Sequence, residues 1–411
     1  MPMGTRWIQT AYVSTFPPRR CGLATFTQDL AEAVDGYNCF APSMVIAVSD
    51  GDARYDYDGR VIWEIQQDDL NSYRQAAQYV NRSAIDLVVL QHEFGIFGGN
   101  GGEYILEFLS RVQRPVITTL HSVLPNPDPY RKGLVNEICR LSSSVVTMAQ
   151  KGRVILHETY QVPLSKLHVI HHGVPACEVR PREELKEKYG WRGRKILSTF
   201  GLLSSGKGIE YLITALSRVA RHHPEILYLV LGQTHPVVAR LEGERYREYL
   251  QDLVGRLSLQ GKVMFVNRYL DREELLQYLL LTDIYVTPYL NPEQICSGTL
   301  AYALSLGKAI ISTPYLYARE LLADGRGILV GFRDPEGLAE AVDLLLSQPE
   351  RQLELEGKAR QYGARMLWPE VARHYLDLYR RWLPAIAGVS AGGGEEWLGV
   401  GAETSSLGVR R

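Results

Sequence analysis

No stretch of this 411-residue chain is apolar for long enough to cross a bilayer. The opening MPMGTRWIQTAYVS also lacks the apolar core of a signal peptide. We therefore expect a cytoplasmic protein with no integral membrane segment, and leave peripheral contact with a membrane open. Cysteine is scarce: the five residues Cys21, Cys39, Cys139, Cys177 and Cys296 are scattered, odd in number and without a C-x-x-C pair. That pattern argues against structural zinc and for a reducing compartment. Net charge is also missing, at a formal −1, so no overall field favours nucleic acid or an anionic surface. No short repeat of the solenoid kind is present. His92, His121, His171 and His172 do not have metal-site spacing, so we expect neither a bound metal nor a resident cofactor.

What the chain does have is alternation. Short β-branched runs (TAYVS, SMVIAVS, RVIWEI, DLVVLQHE, PVITTLHS, SVVTMAQ, LHVIHHG) are separated by helix-period segments such as FTQDLAEAV and SYRQAAQYVNR. The scheme starts again at KILSTF and runs through ILYLVLG, KVMFVNR, IYVTPY, AIISTPY and GILVGF. Strands that alternate with helices predict parallel sheets covered on both faces. We expect two doubly wound α/β domains, over residues 1–178 and 195–365, joined by a charged linker at 179–194. An amphipathic helix beginning near Pro369 occupies 366–384. The tail 385–411 has too little apolar content to pack and is expected to be disordered. Open α/β sheets bind ligands at the carboxyl ends of their strands, so the informative loops are those that follow strands.

The first such loop is FGLLSSGKG, Phe200 to Gly208. Gly201, Gly206 and Lys207 fit the phosphate-loop spelling G-x-x-x-x-G-K, but Gly208 stands where a magnesium-binding Ser or Thr belongs. The next strand, ILYLVLGQT, ends without the acid a triphosphatase needs. Phosphate binding without metal remains, through backbone N–H groups, a helix N-terminus and the Lys207 ammonium. A second anion site is expected in TPYLNPEQICSGTLAYALSL, where Ser297 reads as an N-cap and the N–H groups of Gly298, Thr299 and Leu300 point into the cleft. In the first domain, LQHEFGIFGGNGGEY follows a strand and gathers His92, Glu93, Gly98 and Gly99 into a mobile, acceptor-facing loop. His121 ends the strand PVITTLHS.

The run strand-F-G-x-L-S-x-x-K-G-hydrophobic resembles the C-terminal motif of the family-4 retaining glycosyltransferases, over most of the chain from Ala11 to about Trp382. The resemblance implies the GT-B fold, with the C-terminal helix crossing back to the first domain. It also implies that Lys207 contacts the donor diphosphate, that His121 lies beside the donor sugar, and that Gly22 belongs to a glycine-rich loop near the phosphates. The family's first glutamate falls at Gln294, next to Glu293, and its second at Tyr302. A tyrosine cannot accept two hydrogen bonds from a ribose as a carboxylate does. An arginine that often precedes the lysine is replaced by Leu202, which makes Arg268 the candidate second cation.

The expected function is that of a metal-independent retaining hexosyltransferase. Its donor would be a UDP- or GDP-sugar such as GDP-mannose, and its acceptor a carbohydrate or small hydroxyl compound. Two other readings stay open: a phosphorylase of the same fold that uses sugar 1-phosphate, and a non-catalytic sugar- or nucleotide-binding module.

Overall fold

The computed structural model describes residues 7–51, 54–178 and 180–383; the expected disorder of 385–411 falls outside them. Seven strands form the first sheet: β1 (Thr10–Ser14), β2 (Met44–Ser49), β3 (Val61–Gln66), β4 (Leu87–His92), β5 (Val116–Leu120), β6 (Ser144–Thr147) and β7 (Leu167–Val169). Six form the second: β8 (Lys195–Phe200), β9 (Ile226–Leu231), β10 (Val263–Val266), β11 (Ile284–Thr287), β12 (Ala309–Ser312) and β13 (Ile328–Leu329). Every pairing is parallel. The central strands β1, β4 and β5 are buried throughout, as β-branched runs covered on both faces must be.

Strand order is β3-β2-β1-β4-β5-β6-β7 in one sheet and β10-β9-β8-β11-β12-β13 in the other. Each order reverses direction once, between β1 and β4 and between β8 and β11. Such a reversal opens a crevice at the strand carboxyl ends. The loops that leave β1, β4, β5, β8 and β11 are the ones the motifs occupy, and the two crevices face each other.

The chain crosses between the domains twice, and the crossings are zipped together. Val174 N–H donates to Met366 O (2.7 Å) and Trp368 N–H to Val174 O (2.9 Å). A Cβ on Gly173 would stand 2.2 Å from the Trp368 ring, so only glycine lets the strands lie this close. The helix Trp368–Trp382 then packs on Gly22–Asp35 of the first domain. It is anchored by Tyr375 to Thr119 (2.9 Å) and Trp382 to Ser144 (2.8 Å).

The segment expected to be a linker is more ordered than its charge suggests. Residues Arg182–Lys188 form a helix that packs on Arg272–Leu281, with Leu185 and Lys186 buried. The Lys186 ammonium lies 2.9 Å from Asp283 Oδ2, with side chains 2% and 3% exposed. Asp283 also accepts from Ile196 N–H (2.6 Å) and Arg182 (3.3 Å), so it fixes the helix to the first strand of the second domain. The missed signal was a charge pattern: a lysine needed inside a domain looks, by composition, like one on a linker.

Removing one partner of a buried pair strands the other charge, which costs about 3–5 kcal/mol. Asp283→Ala is expected to lower the stability of the second domain by that amount in urea unfolding, and Glu183→Ala, which removes the exposed partner of Lys186, by less than about 1 kcal/mol.

Candidate active site

The two facing crevices enclose one cavity of about 660 Å³. On the second-domain side, Gly201 follows β8 with φ +134°, and its carbonyl lies where a Cβ on Gly232 would clash at 2.2 Å. The loops after β8 and β9 are therefore pressed backbone to backbone. Gly208 has φ +62°, and a Cβ there would strike Pro288 O at 2.2 Å. Its place at the end of FGLLSSGKG is thus set by backbone conformation and close approach, conditions a Ser or Thr would not meet.

This geometry presents Lys207. Its ammonium rests 3.9 Å from the centroid of the Tyr289 ring, a cation–π contact that holds it without neutralising it. Among the described residues no carboxylate pairs with it. The expected help from the following helix, Ile209–His222, is reduced, because Ile209 N–H donates to Tyr246 Oη (3.1 Å) and Tyr211 N–H to Gly208 O (3.1 Å).

The helix Gly298–Ser305 supplies it instead. Ser297 is its N-cap and accepts from Leu300 N–H (3.3 Å), so of the three expected N–H donors Leu300 is taken and Gly298 and Thr299 face the cavity. Ser297 is buried behind them. The Thr299 hydroxyl, shared with Tyr289 (2.8 Å), links this helix end to the ring under Lys207. One cation and one helix N-terminus therefore converge.

Glu293 and Gln294 line the same cavity. Glu293 Oε1 accepts from Asn126 Nδ2 of the other domain (2.8 Å), and Gln294 turns its amide to Cys296 O (2.9 Å). Tyr302 packs edge-on against Phe200, with ring centroids 5.9 Å apart, so the position of the family's second glutamate is an aromatic wall. Arg268 does not line the cavity: its guanidinium is half-exposed and forms a two-pronged pair with Glu274, on the helix that follows its loop. Leu202 does line the cavity, and so does His235, whose Nδ1 caps its own helix by accepting from Val237 N–H (3.3 Å).

On the first-domain side, Gly22 begins the helix Gly22–Asp35 with open space over its Cα. The Phe26 ring from that helix meets three rings edge-on: His121 at 4.8 Å, His172 at 5.0 Å and Trp368 at 5.2 Å. His121 Nε2 lies 2.9 Å from Gln91 Oε1, and burial pushes its pKa down to about 3. His172 donates from Nδ1 to Gly173 O (2.7 Å), which leaves Nε2 with its lone pair. A Cβ on Gly298 would come within 2.9 Å of that nitrogen, so the interdomain histidine sets the need for glycine at the cavity-facing helix end.

Glu93 lines the cavity, but its loop partners do not. Its Oε2 accepts from Ser122 (2.6 Å) and its Oε1 from Phe94 N–H (3.0 Å), and burial raises its pKa. His92 faces inward, fully buried between Phe94 and Phe97 with neither ring nitrogen hydrogen-bonded. Burial lowers its pKa to about 4. Gly98 and Gly99 pack against Gln67 and Tyr104, where a Cβ on Gly98 would meet Gln67 O at 2.0 Å. The expected acceptor-facing loop thus contributes its glutamate, while its histidine and glycines build the core beneath. Strand alternation explains this, since consecutive residues point to opposite faces.

Sequence reasoning missed Asp29. It lines the cavity floor, accepts from Trp368 Nε1 (3.2 Å) and pairs with Arg272 of the second domain. Burial outweighs the arginine and raises its carboxyl pKa to about 6. The available signal was an acid on the apolar stripe of FTQDLAEAV, between buried Phe26 and Leu30. Among the described residues, no group of three His, Cys, Asp or Glu side chains is placed to hold a metal ion, and no helix is long and apolar enough to cross a membrane.

His92, His121 and His172 are each held neutral by burial, with pKa values of about 4, 3 and 4. Unfolded histidines take up protons below about pH 6.5, so stability is full above that pH and falls as pH drops toward 4. Each adds about 1.4 kcal/mol per pH unit to the slope. His92→Phe, away from the cavity, is expected to flatten urea-measured stability between pH 6 and 5 by about one proton's worth; an unchanged slope would show that His92 is protonated in the folded protein.

Comparison with known proteins agrees with this geometry. The family description "Glycosyl transferases group 1" matches residues 181–362, and "Glycosyltransferase Family 4" matches 22–176. An alpha-D-kanosaminyltransferase of Streptomyces kanamyceticus is 24% identical over 230 residues, covering 54% of this chain and 56% of that protein. A D-inositol 3-phosphate glycosyltransferase of Corynebacterium urealyticum is 27% identical over 188 residues, 45% of this chain and 43% of its own. The chain thus spans about half the length of these curated relatives. In fold, the sucrose-phosphate synthase of Thermosynechococcus elongatus superposes with TM-score 0.74 at 17% identity, covering 92% of this chain and 100% of that one. Anabaena HepE, solved with UDP and glucose, gives 0.72 at 15% identity, covering 91% and 100%. Two parallel-sheet domains facing a cleft, with both family descriptions matched in the expected halves, establish that this chain has the GT-B fold and belongs to the group 1 glycosyltransferases.

Proposed function

We propose that the protein transfers a hexosyl group from a nucleotide-diphosphate sugar to a hydroxyl acceptor, with retention at the anomeric carbon and without a metal ion. The observation that carries this reading is the unpaired Lys207 ammonium, poised over Tyr289 beside the N-terminus of Gly298–Ser305. A departing diphosphate needs its developing charge met by fixed donors, and preorganised donors in a desolvated cleft are worth most in the transition state. Anabaena HepE and the E. coli trehalose-6-phosphate protein were solved with UDP or a UDP-sugar, and this cavity occupies the cleft of the same fold.

His121 and Gly22 approach from the first domain, Lys207, Gly298 and Thr299 from the second, with Gly201 holding the loop and Glu293 bridging through Asn126. In this reading the bond from the anomeric carbon to the leaving phosphate oxygen breaks on the face where the acceptor oxygen attaches. The leaving phosphate takes the acceptor's proton. Neutral His121 does not compete for it, since its low pKa keeps it a poor base. With no carboxylate at position 302, the nucleotide is held through its phosphates and by the aromatic wall more than by its ribose.

Lys207→Ala is expected to lower kcat by roughly 10²-fold or more, as when one transition-state donor is lost. Thermal shift with UDP and GDP should show a stabilisation in the native protein that shrinks in the variant. Wild-type turnover by the variant, or native activity abolished by chelation and restored by a divalent ion, would refute the assignment.

A further inference from the structure

The two walls of the cavity differ in charge. The second-domain wall carries Lys207 and a helix N-terminus, with Glu293 at its rim. The first-domain wall, among the described residues, presents no lysine or arginine. Its histidines are neutral, its hydroxyls belong to Thr25 and Ser122, and its charged group is Glu93, with Asp29 spent on Arg272 and Trp368. Of the nearby arginines, Arg19 is occupied by Asp50, Val48 O and Gln67, while Arg20 is exposed and lies 5.8 Å over the ring of Tyr269, which lines the cavity from the second domain.

Glu93 is rigidly held. Ser122 donates to one oxygen and Phe94 N–H to the other, and each oxygen keeps a lone-pair direction for a further donor. Glu293 adds a second carboxylate on the facing rim, tethered by Asn126 across the cleft. Burial raises the Glu93 pKa and its two donors oppose that shift; as a carboxylate it accepts from hydroxyls and repels anions.

We propose that this wall selects an uncharged polyol acceptor, a sugar or cyclitol whose hydroxyls donate to Glu93, and rejects the phosphorylated form of the same molecule. The assignment rests on reading the cavity as a glycosyl-transfer cleft. Glu93 is thereby a specificity-determining residue.

The test is direct binding, by ligand-observed NMR titration, of matched pairs: glucose with glucose 6-phosphate, and myo-inositol with its monophosphate. It is run on Lys207→Ala protein, so that a phosphate cannot lodge at the donor end. Expected is binding of an uncharged member about tenfold or more tighter than its phosphorylated partner, the equivalent of one decade in Kd. Glu93→Gln should weaken that binding, and Glu93→Lys should narrow or reverse the preference. Equal affinities, tighter binding of the phosphorylated member, or no uncharged member bound would overturn the proposal. UDP and GDP binding to the native protein is measured alongside. If neither nucleotide binds while the pairs behave as expected, the donor reading fails and the acceptor assignment stands.

Discussion

One buried carboxylate ties the cleft together. Asp29 sits on the first helix of the first domain, pairs with Arg272 of the second, and receives the indole N–H of Trp368 from the returning helix. Burial raises its pKa to about 6, which measures how much solvation it has given up. A group in that position stays charged only because its partners come from two other parts of the chain. The spacing of the cavity walls follows, since Phe26, one turn away, orders His121, His172 and Trp368 around a single ring.

The second constraint is backbone approach. His172 presses on Gly298, Gly201 on Gly232, Pro288 on Gly208, and Trp368 on Gly173. At each position a Cβ would meet another atom within 3 Å, so these glycines let the loops and crossings come close enough to surround a ligand. The Lys207 end of the cleft emerges from this packing, and Glu320 of the second domain also caps a first-domain helix by accepting from Gln150 and Lys151 N–H.

All thirteen strands were legible in the sequence: the central ones because a strand buried on both faces must be a short apolar run, and the less buried β3, β7, β10 and β13 because they are β-branched runs in the same alternation with helices. The motif loops were legible for a related reason, as ligands gather at strand carboxyl ends. What was not legible was direction and partnership. Nothing in VNRYL says that Arg268 turns to Glu274, and nothing in QHEFG says that His92 goes inward while Glu93 goes outward, beyond an alternation whose phase needs the sheet. The helix in the charged linker was hidden because buried ion pairs and solvated charges look the same in composition.

The missing arginine and the missing glutamate have one physical consequence between them. With Leu202 in place of a cation, a donor bound as proposed would rely on Lys207 and helix N–H groups, and with Tyr302 in place of a carboxylate its end of the cavity also loses a negative charge. The two changes offset in net charge, so the second-domain wall, which carries Lys207 and Glu293, becomes less polar without a change of charge. Against it stands a first-domain wall whose charge is Glu93. In the proposed reading the cleft therefore keeps a local contrast, with Lys207 where a diphosphate would leave and Glu93 where a hydroxyl would arrive. That contrast, more than any single residue type, is what the proposed division into a donor end and an acceptor end rests on.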